Sequence, residues 1–138
     1  MQTNDLYQLA EEHNHDVVTM HLKESSAFAI EDDNHVCHIA ISDKLSGIEE
    51  KEALAHELGH CENGGFYNYY SPYEIRSKCE AKANRWSYFH LIPFDKLREA
   101  INKGCSSIWE LAEHFDVSPE FAANTLRFYI EQLGNKLN

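Results

Sequence analysis

His56 and His60 stand four residues apart in the run His56-Glu57-Leu58-Gly59-His60. On an α-helix that spacing stacks two imidazoles on one face, one turn apart, where both can reach a single ion. Zinc suits such a pair, because it takes nitrogen donors at ~2.0–2.1 Å in a tetrahedron. Glu57 is displaced about 100° round the helix. That makes it a poor third ligand, but it can reach a water on the metal, as a general base must. Nine histidines in 138 residues are many. They generate an H-E-x-x-H pattern by chance roughly 0.07 times in such a chain. The surroundings of the motif therefore have to carry part of the assignment.

A hydrolytic zinc site needs a third protein ligand and one open position. Glu62, Glu74, Glu80 and His90 are the downstream candidates. Glu62 follows His60 too closely on the same helix to close a tetrahedron, and His90 is the reserve. Glu80 is the best placed, with Asn84 one turn on and able to orient it from behind. Between the two segments lies Phe66-Tyr67-Asn68-Tyr69-Tyr70-Ser71-Pro72-Tyr73, entered through Gly64-Gly65. Tyr67, Tyr69, Tyr70 and Tyr73 can donate to an oxyanion or touch substrate. His13, His15, His21, His35 and His38 read as solvated or packed side chains rather than a second metal site.

Helices and strands must hold these groups. Residues 3–13 form a short amphipathic helix. Residues 17–22, 26–30 and 36–41 are rich in β-branched and apolar side chains and read as strands. Glu31-Asp32-Asp33-Asn34-His35 suits a hairpin turn between the last two. The strand at 36–41 can offer an edge for β-addition of an extended peptide. Ser46 and Glu49 make a capping box for the helix that carries His56 and His60, and Gly64-Gly65 ends it. Ser71 and Glu74 make a second box, opening a helix that runs toward Leu91 and stops near Pro93. Three helices follow, over residues 93–103, from Ser107, and from Ser118 to before Gly134. Strands followed by helices predict an α+β fold. We expect a small antiparallel sheet of about three strands packed against helices, a zincin-like active-site helix and a C-terminal helical extension. The chain reads as a single domain, 1–138. Within it, 1–45 hold the N-terminal helix and sheet, 46–92 the zinc-binding helices and 93–138 the C-terminal helices.

The net charge is -11, which repels phosphate backbones and argues against direct nucleic-acid binding. Residues 107–120 resemble a helix-turn-helix. Among residues 107–133 Arg127 is the one arginine or lysine, and Asn124 the other plausible base reader, so packing or substrate docking is the better role. No run approaches the ~20 apolar residues of a membrane span, and residues 1–5 lack the basic and apolar regions of a signal peptide. Cys37, Cys61, Cys79 and Cys105 form no C-x-x-C pair. They read as free thiols of a cytoplasmic protein.

Leu54-Ala55-His56-Glu57-Leu58-Gly59-His60, then Glu80-Ala81-Lys82-Ala83-Asn84-Arg85-Trp86, then Leu91-Ile92-Pro93, resembles the ImmA/IrrE family of metallopeptidases. That family carries H-E-x-x-H, a later E-x-x-A-N-x-F-A segment and a Leu-x-Pro that closes the helix. Trp86 and Ser87 depart mildly from it. The resemblance is close over residues 50–95 and weaker to about 130. It implies that His56, His60 and Glu80 hold zinc and that Glu57 is catalytic. It also implies a protein substrate on a separate chain: a helix-turn-helix transcriptional repressor whose cleavage releases genes of a phage, mobile element or stress regulon. The alternative is a non-catalytic zinc-containing module that acts by protein–protein contact. Glu57 opposes it, since a structural site has four protein ligands and no use for a base.

Overall fold

The computed structural model describes residues 1–68 and 70–133. They form two compact units, Met1–Ser87 and Tyr88–Asn138. The fold is α+β.

In the first unit, α1 (Thr3–Glu12) leads to strands β1 (Asp16–Met20), β2 (Ala27–Glu31) and β3 (Cys37–Ser42), and then to helices α2 (Gly47–Asn63) and α3 (Tyr73–Leu91). The unit boundary falls inside α3. The strand order is β1-β3-β2. β3 is central because it is the most apolar strand, with Cys37, Ile39, Ala40 and Ile41 all buried. Two expectations are corrected here. The sheet is mixed, not antiparallel throughout: β2 pairs antiparallel with β3 (Ala29 opposite Ile39), while β1 pairs parallel with it (Val17 opposite Ile39). The edge strands are therefore β1 and β2, with β2 against α2, and the 36–41 segment offers no free edge. Sequence signals locate the β2–β3 hairpin because its turn is local. Asp32 Oδ1 accepts from the amides of Asn34 (2.8 Å) and Val36 (3.0 Å), and His35 takes a positive φ of 63°. No comparable local signal says on which side of β3 the strand β1 will dock.

Helix α2 lies on this sheet. Its Leu54, Ala55 and Leu58 are fully buried, against β2, β3 and α1. Burying one such leucine is worth about 1.5–3 kcal/mol. Ser46 is the N-cap in extended conformation, but its side chain makes no capping bond; Glu49 and Glu50 complement the helix dipole instead. At the other end Gly64 adopts φ 63°, the left-handed conformation that glycine takes without strain.

The expectation of four free thiols is also corrected. Cys37 and Cys61 form a disulfide with a Cα–Cα separation of 5.7 Å, within the usual range for such bonds. The start of β3 and the last turn of α2 meet across 24 residues, a tertiary contact that no sequence spacing announces. Cys79 and Cys105 are free.

The second unit contains α4 (Phe94–Asn102), α5 (Ile108–Phe115) and α6 (Pro119–Leu133). Pro93 is the N-cap of α4. Ser107 Oγ accepts from the Glu110 amide at 3.2 Å, and Ser118 Oγ accepts from the Phe121 amide at 3.1 Å. The expected stop of α6 before Gly134 lies outside the described residues. Tyr129 is fully buried and donates its hydroxyl to the Ile92 carbonyl at 2.7 Å; Tyr88, Phe121 and Phe128 stack close by. No described helix is long and apolar enough to cross a membrane.

Candidate metal centre

Helix α2 presents His56 and His60 on one face, and α3 brings Glu80 to them. Glu80 Oε2 lies 2.7 Å from His56 Nε2 and 3.4 Å from His60 Nε2. One ligand atom from each of the three residues falls within 4.8 Å of the others. Gly59 makes this convergence possible. A Cβ there would sit 2.6 Å from the Ala83 carbonyl oxygen and 2.8 Å from its Cα. The helices therefore touch backbone to backbone, one turn from Glu80. Asn63 Nδ2 ties the same crossing, donating to the Gly59 carbonyl (2.7 Å) and the Lys82 carbonyl (3.3 Å).

The histidines are oriented as well as placed. His60 Nδ1 lies 2.8 Å from the Gly65 carbonyl oxygen. A carbonyl can only accept, so Nδ1 carries the proton and donates it. In the neutral ring this leaves the Nε2 lone pair facing Glu80. His60 is buried, and His56 is partly open. Tyr67 donates its hydroxyl to Glu80 Oε1 at 2.5 Å. That bond, with burial and the Glu80 charge, pushes the Tyr67 phenol up to about 12. Burial alone would raise the Glu80 carboxyl, but the Tyr67 bond and the two histidines outweigh it and hold Glu80 below its ordinary range.

Glu57 is 8% exposed. Burial raises its pKa, His56 and His60 pull it back, and the Glu80 carboxylate adds to the rise. Glu57, His60 and Glu80 line one side of a cavity of about 240 Å³. Its other walls are Ala27-Phe28-Ala29 of β2 and the Gly65-Phe66-Tyr67 segment. A second cavity of about 380 Å³ is lined by Ala29-Ile30-Glu31, Phe66-Tyr67-Asn68 and Ser71.

The donor chemistry fits a divalent cation. The 2.7 Å approach of His56 Nε2 to the Glu80 carboxylate requires a proton between them, and a metal ion would take that proton's place. Two imidazole nitrogens and one carboxylate oxygen make a donor set that zinc accepts.

Of the residues singled out from sequence, His56, Glu57, His60, Glu80 and Tyr67 come together. Others do not join them. Glu62 is engaged by His13 and His15. Glu74 is exposed in the first turn of α3, and His90 belongs to the second unit. Asn84 is half-buried, and its backbone carbonyl accepts from Ser87 Oγ at 2.8 Å. Tyr70 and Tyr73 are 90% and 74% exposed and line neither cavity; Tyr69 lies outside the described residues. Sequence reasoning missed three contributors: the β2 wall, the Gly65 carbonyl and the Gly59 crossing. Both glycines were visible, one as a helix stop and one inside the motif, but their partners are distant in sequence.

Among curated proteins none matches the chain. A family model described as Peptidase_M78, IrrE N-terminal-like domain, matches residues 10–127. That span takes in α2 and α3 with every residue of the cluster just described, and the chain belongs to this metallopeptidase-type family, the ImmA/IrrE family.

Proposed function

We propose that the chain is a zinc-dependent endopeptidase that cuts a helix-turn-helix transcriptional repressor on a separate chain, in the cytoplasm. The observation that carries this reading is the convergence of His56, His60 and Glu80 beside buried Glu57, in a cavity walled by an edge strand. His56, His60 and Glu80 would hold the zinc. When bound, the ion supplies Lewis acidity, which polarises a peptide carbonyl and makes water acidic enough to react near neutral pH.

The protein's own groups do the rest. An extended substrate segment adds to the open edge of β2, where main-chain hydrogen bonds fix its register. The cavity beyond, at Ile30, Asn68 and Ser71, accepts the residues that follow. Glu57 takes the proton from the attacking water and passes it to the leaving amine. A carboxylate enclosed in this way holds a proton more readily than an exposed one. Tyr67 fixes Glu80 through its hydroxyl, and Gly65 fixes the His60 tautomer. The net charge of -11 attracts a basic DNA-binding substrate and repels DNA itself.

The decisive comparison is wild type against Glu57→Gln, each loaded with zinc and mixed with a candidate repressor encoded nearby. Equal zinc content with cleavage lost in the variant supports the reading. Cleavage that survives in Glu57→Gln, or wild-type protein that takes up no zinc, overturns it. Zinc uptake with no cleavage of any repressor by wild type favours the non-catalytic module.

A further inference from the structure

A second group of metal-ligating side chains lies at the C-terminal end of α2, next to His60. His15, Cys37 and Cys61 each offer a ligand atom within 4.8 Å of the others, and His13, His15 and Glu62 do the same. The left-handed residue Asn14 (φ 61°) sits between His13 and His15 in the short connection from α1 to β1. Glu62 Oε1 lies 2.6 Å from His13 Nδ1, and Oε2 lies 2.9 Å from His15 Nε2. The His15 side chain is 12% exposed and that of Glu62 21%; Cys37 is buried. None of these groups has a part in the chemistry assigned to Glu57, His56, His60 and Glu80.

We propose that His15, Cys37 and Cys61 form a second metal site, with Glu62 orienting His15 from behind, that is mutually exclusive with the Cys37–Cys61 disulfide. Two sulfurs and one imidazole make a donor set of the zinc class. Sulfur donors select zinc over magnesium or calcium. Zn–S bonds of about 2.3 Å in a tetrahedron put the sulfurs roughly 3.8 Å apart, so they need only part from bonding distance. A dithiol reductant breaks the S–S bond and delivers two electrons and two protons, closing its own disulfide in return. The ion then displaces both thiol protons to solvent. A disulfide-class oxidant reverses the sequence and expels the metal. The disulfide joins β3 to the last turn of α2, whereas the metal also gathers the α1–β1 connection, all next to His60. The two redox states thus clamp the end of the proposed catalytic helix in different ways.

Metal stoichiometry tests this in wild-type protein. Protein reduced with a phosphine and freed of it without oxygen should bind two equivalents of cobalt(II). One of them should show a thiolate-to-cobalt charge-transfer band in the near ultraviolet. Oxidised protein should bind one equivalent with no such band. Glu80→Ala should lose the bandless equivalent and keep the other; Cys61→Ser and His15→Ala should do the reverse, with far-ultraviolet circular dichroism checking their fold. Reduced wild type that binds a single bandless equivalent overturns the proposal. So does a second equivalent that survives in Cys61→Ser, since that places the ion on His13, His15 and Glu62 alone. Failure of this experiment leaves the Glu57→Gln comparison untouched.

Discussion

Two clusters of two histidines and one glutamate flank helix α2, and they are built differently. At His56, His60 and Glu80, every donor sits on a long helix, and the helices touch at Gly59 and Ala83. At His13, His15 and Glu62, both histidines sit on a short connection, and one carboxylate satisfies both. The first cluster has a ring nitrogen committed to a backbone carbonyl, the buried carboxylate of Glu57 beside it and a cavity in front. The second has sulfur behind it and lines neither of the cavities beside β2. A third histidine, His38, shows what a non-site looks like. It meets Asp16 through Nδ1 (2.9 Å) and Asp32 through Nε2 (2.8 Å), so its carboxylates lie on opposite ring edges and cannot share an ion. Convergence of donor atoms, more than the number of histidines, separates a site from a surface ion pair.

The sharpest break between the clusters is expected at His60. His60→Ala should lower zinc content and abolish most repressor cleavage, since it removes one of the three proposed ligands; full activity in this variant would remove the distinction. Next comes the disulfide. In oxidised protein, Cys37→Ser should cost about 3 kcal/mol in urea unfolding, since the bond closes a loop of 24 residues. A smaller loss would mean that the unfolded chain is already compact there.

Gly59→Ala tests the helix crossing. A methyl group 2.6 Å from the Ala83 oxygen should cost about 1–3 kcal/mol of stability and push α3 away, so zinc affinity should fall with it. If stability falls but affinity holds, the spacing of α2 and α3 does not set the site. Tyr67→Phe removes the hydroxyl that Glu80 accepts. Second-sphere losses of this kind run at about 10–100-fold in metal affinity, and the low end is expected because Tyr67 is partly exposed. Isothermal titration with zinc measures it.

His38 gives the smallest effect. Its bonds to Asp32 and Asp16 raise its pKa, and Asp32 is lowered in turn. A raised histidine stabilises the fold fully below its unfolded value of about 6.5 and loses that contribution as pH rises through the folded value. The stability gap between wild type and His38→Gln should therefore be full well below about pH 6.5 and narrow as pH rises above it. A gap that widens as pH rises would contradict the ion pairs.

Much of this was readable in the chain. The helix order, the stops at Gly64 and Pro93 and the nearness of Glu80, not Glu62, to the two histidines all follow from local rules: caps, breakers and the geometry of one helical turn. Glu62 was set aside because it follows His60 too closely, and the structure occupies it elsewhere. What escaped was non-local. The pairing of Cys37 with Cys61, the parallel docking of β1 and the seating of Ala83 on Gly59 each join residues 22 or more positions apart. His15, expected to be solvated or packed, is in fact packed, with its side chain 12% exposed and 2.9 Å from Glu62.

The open edge of β2 has a consequence for handling the protein. Phe28 and Ile30 on that strand are 41% and 55% exposed, and unpaired strand edges recruit other strands, including those of identical molecules. The charge of -11 keeps copies apart only while its field reaches across the gap. Salt shortens that reach from about 10 Å at 0.1 M to about 3 Å at 1 M. Solubility should therefore be greatest in dilute buffer, and a high-salt purification step would favour turbidity.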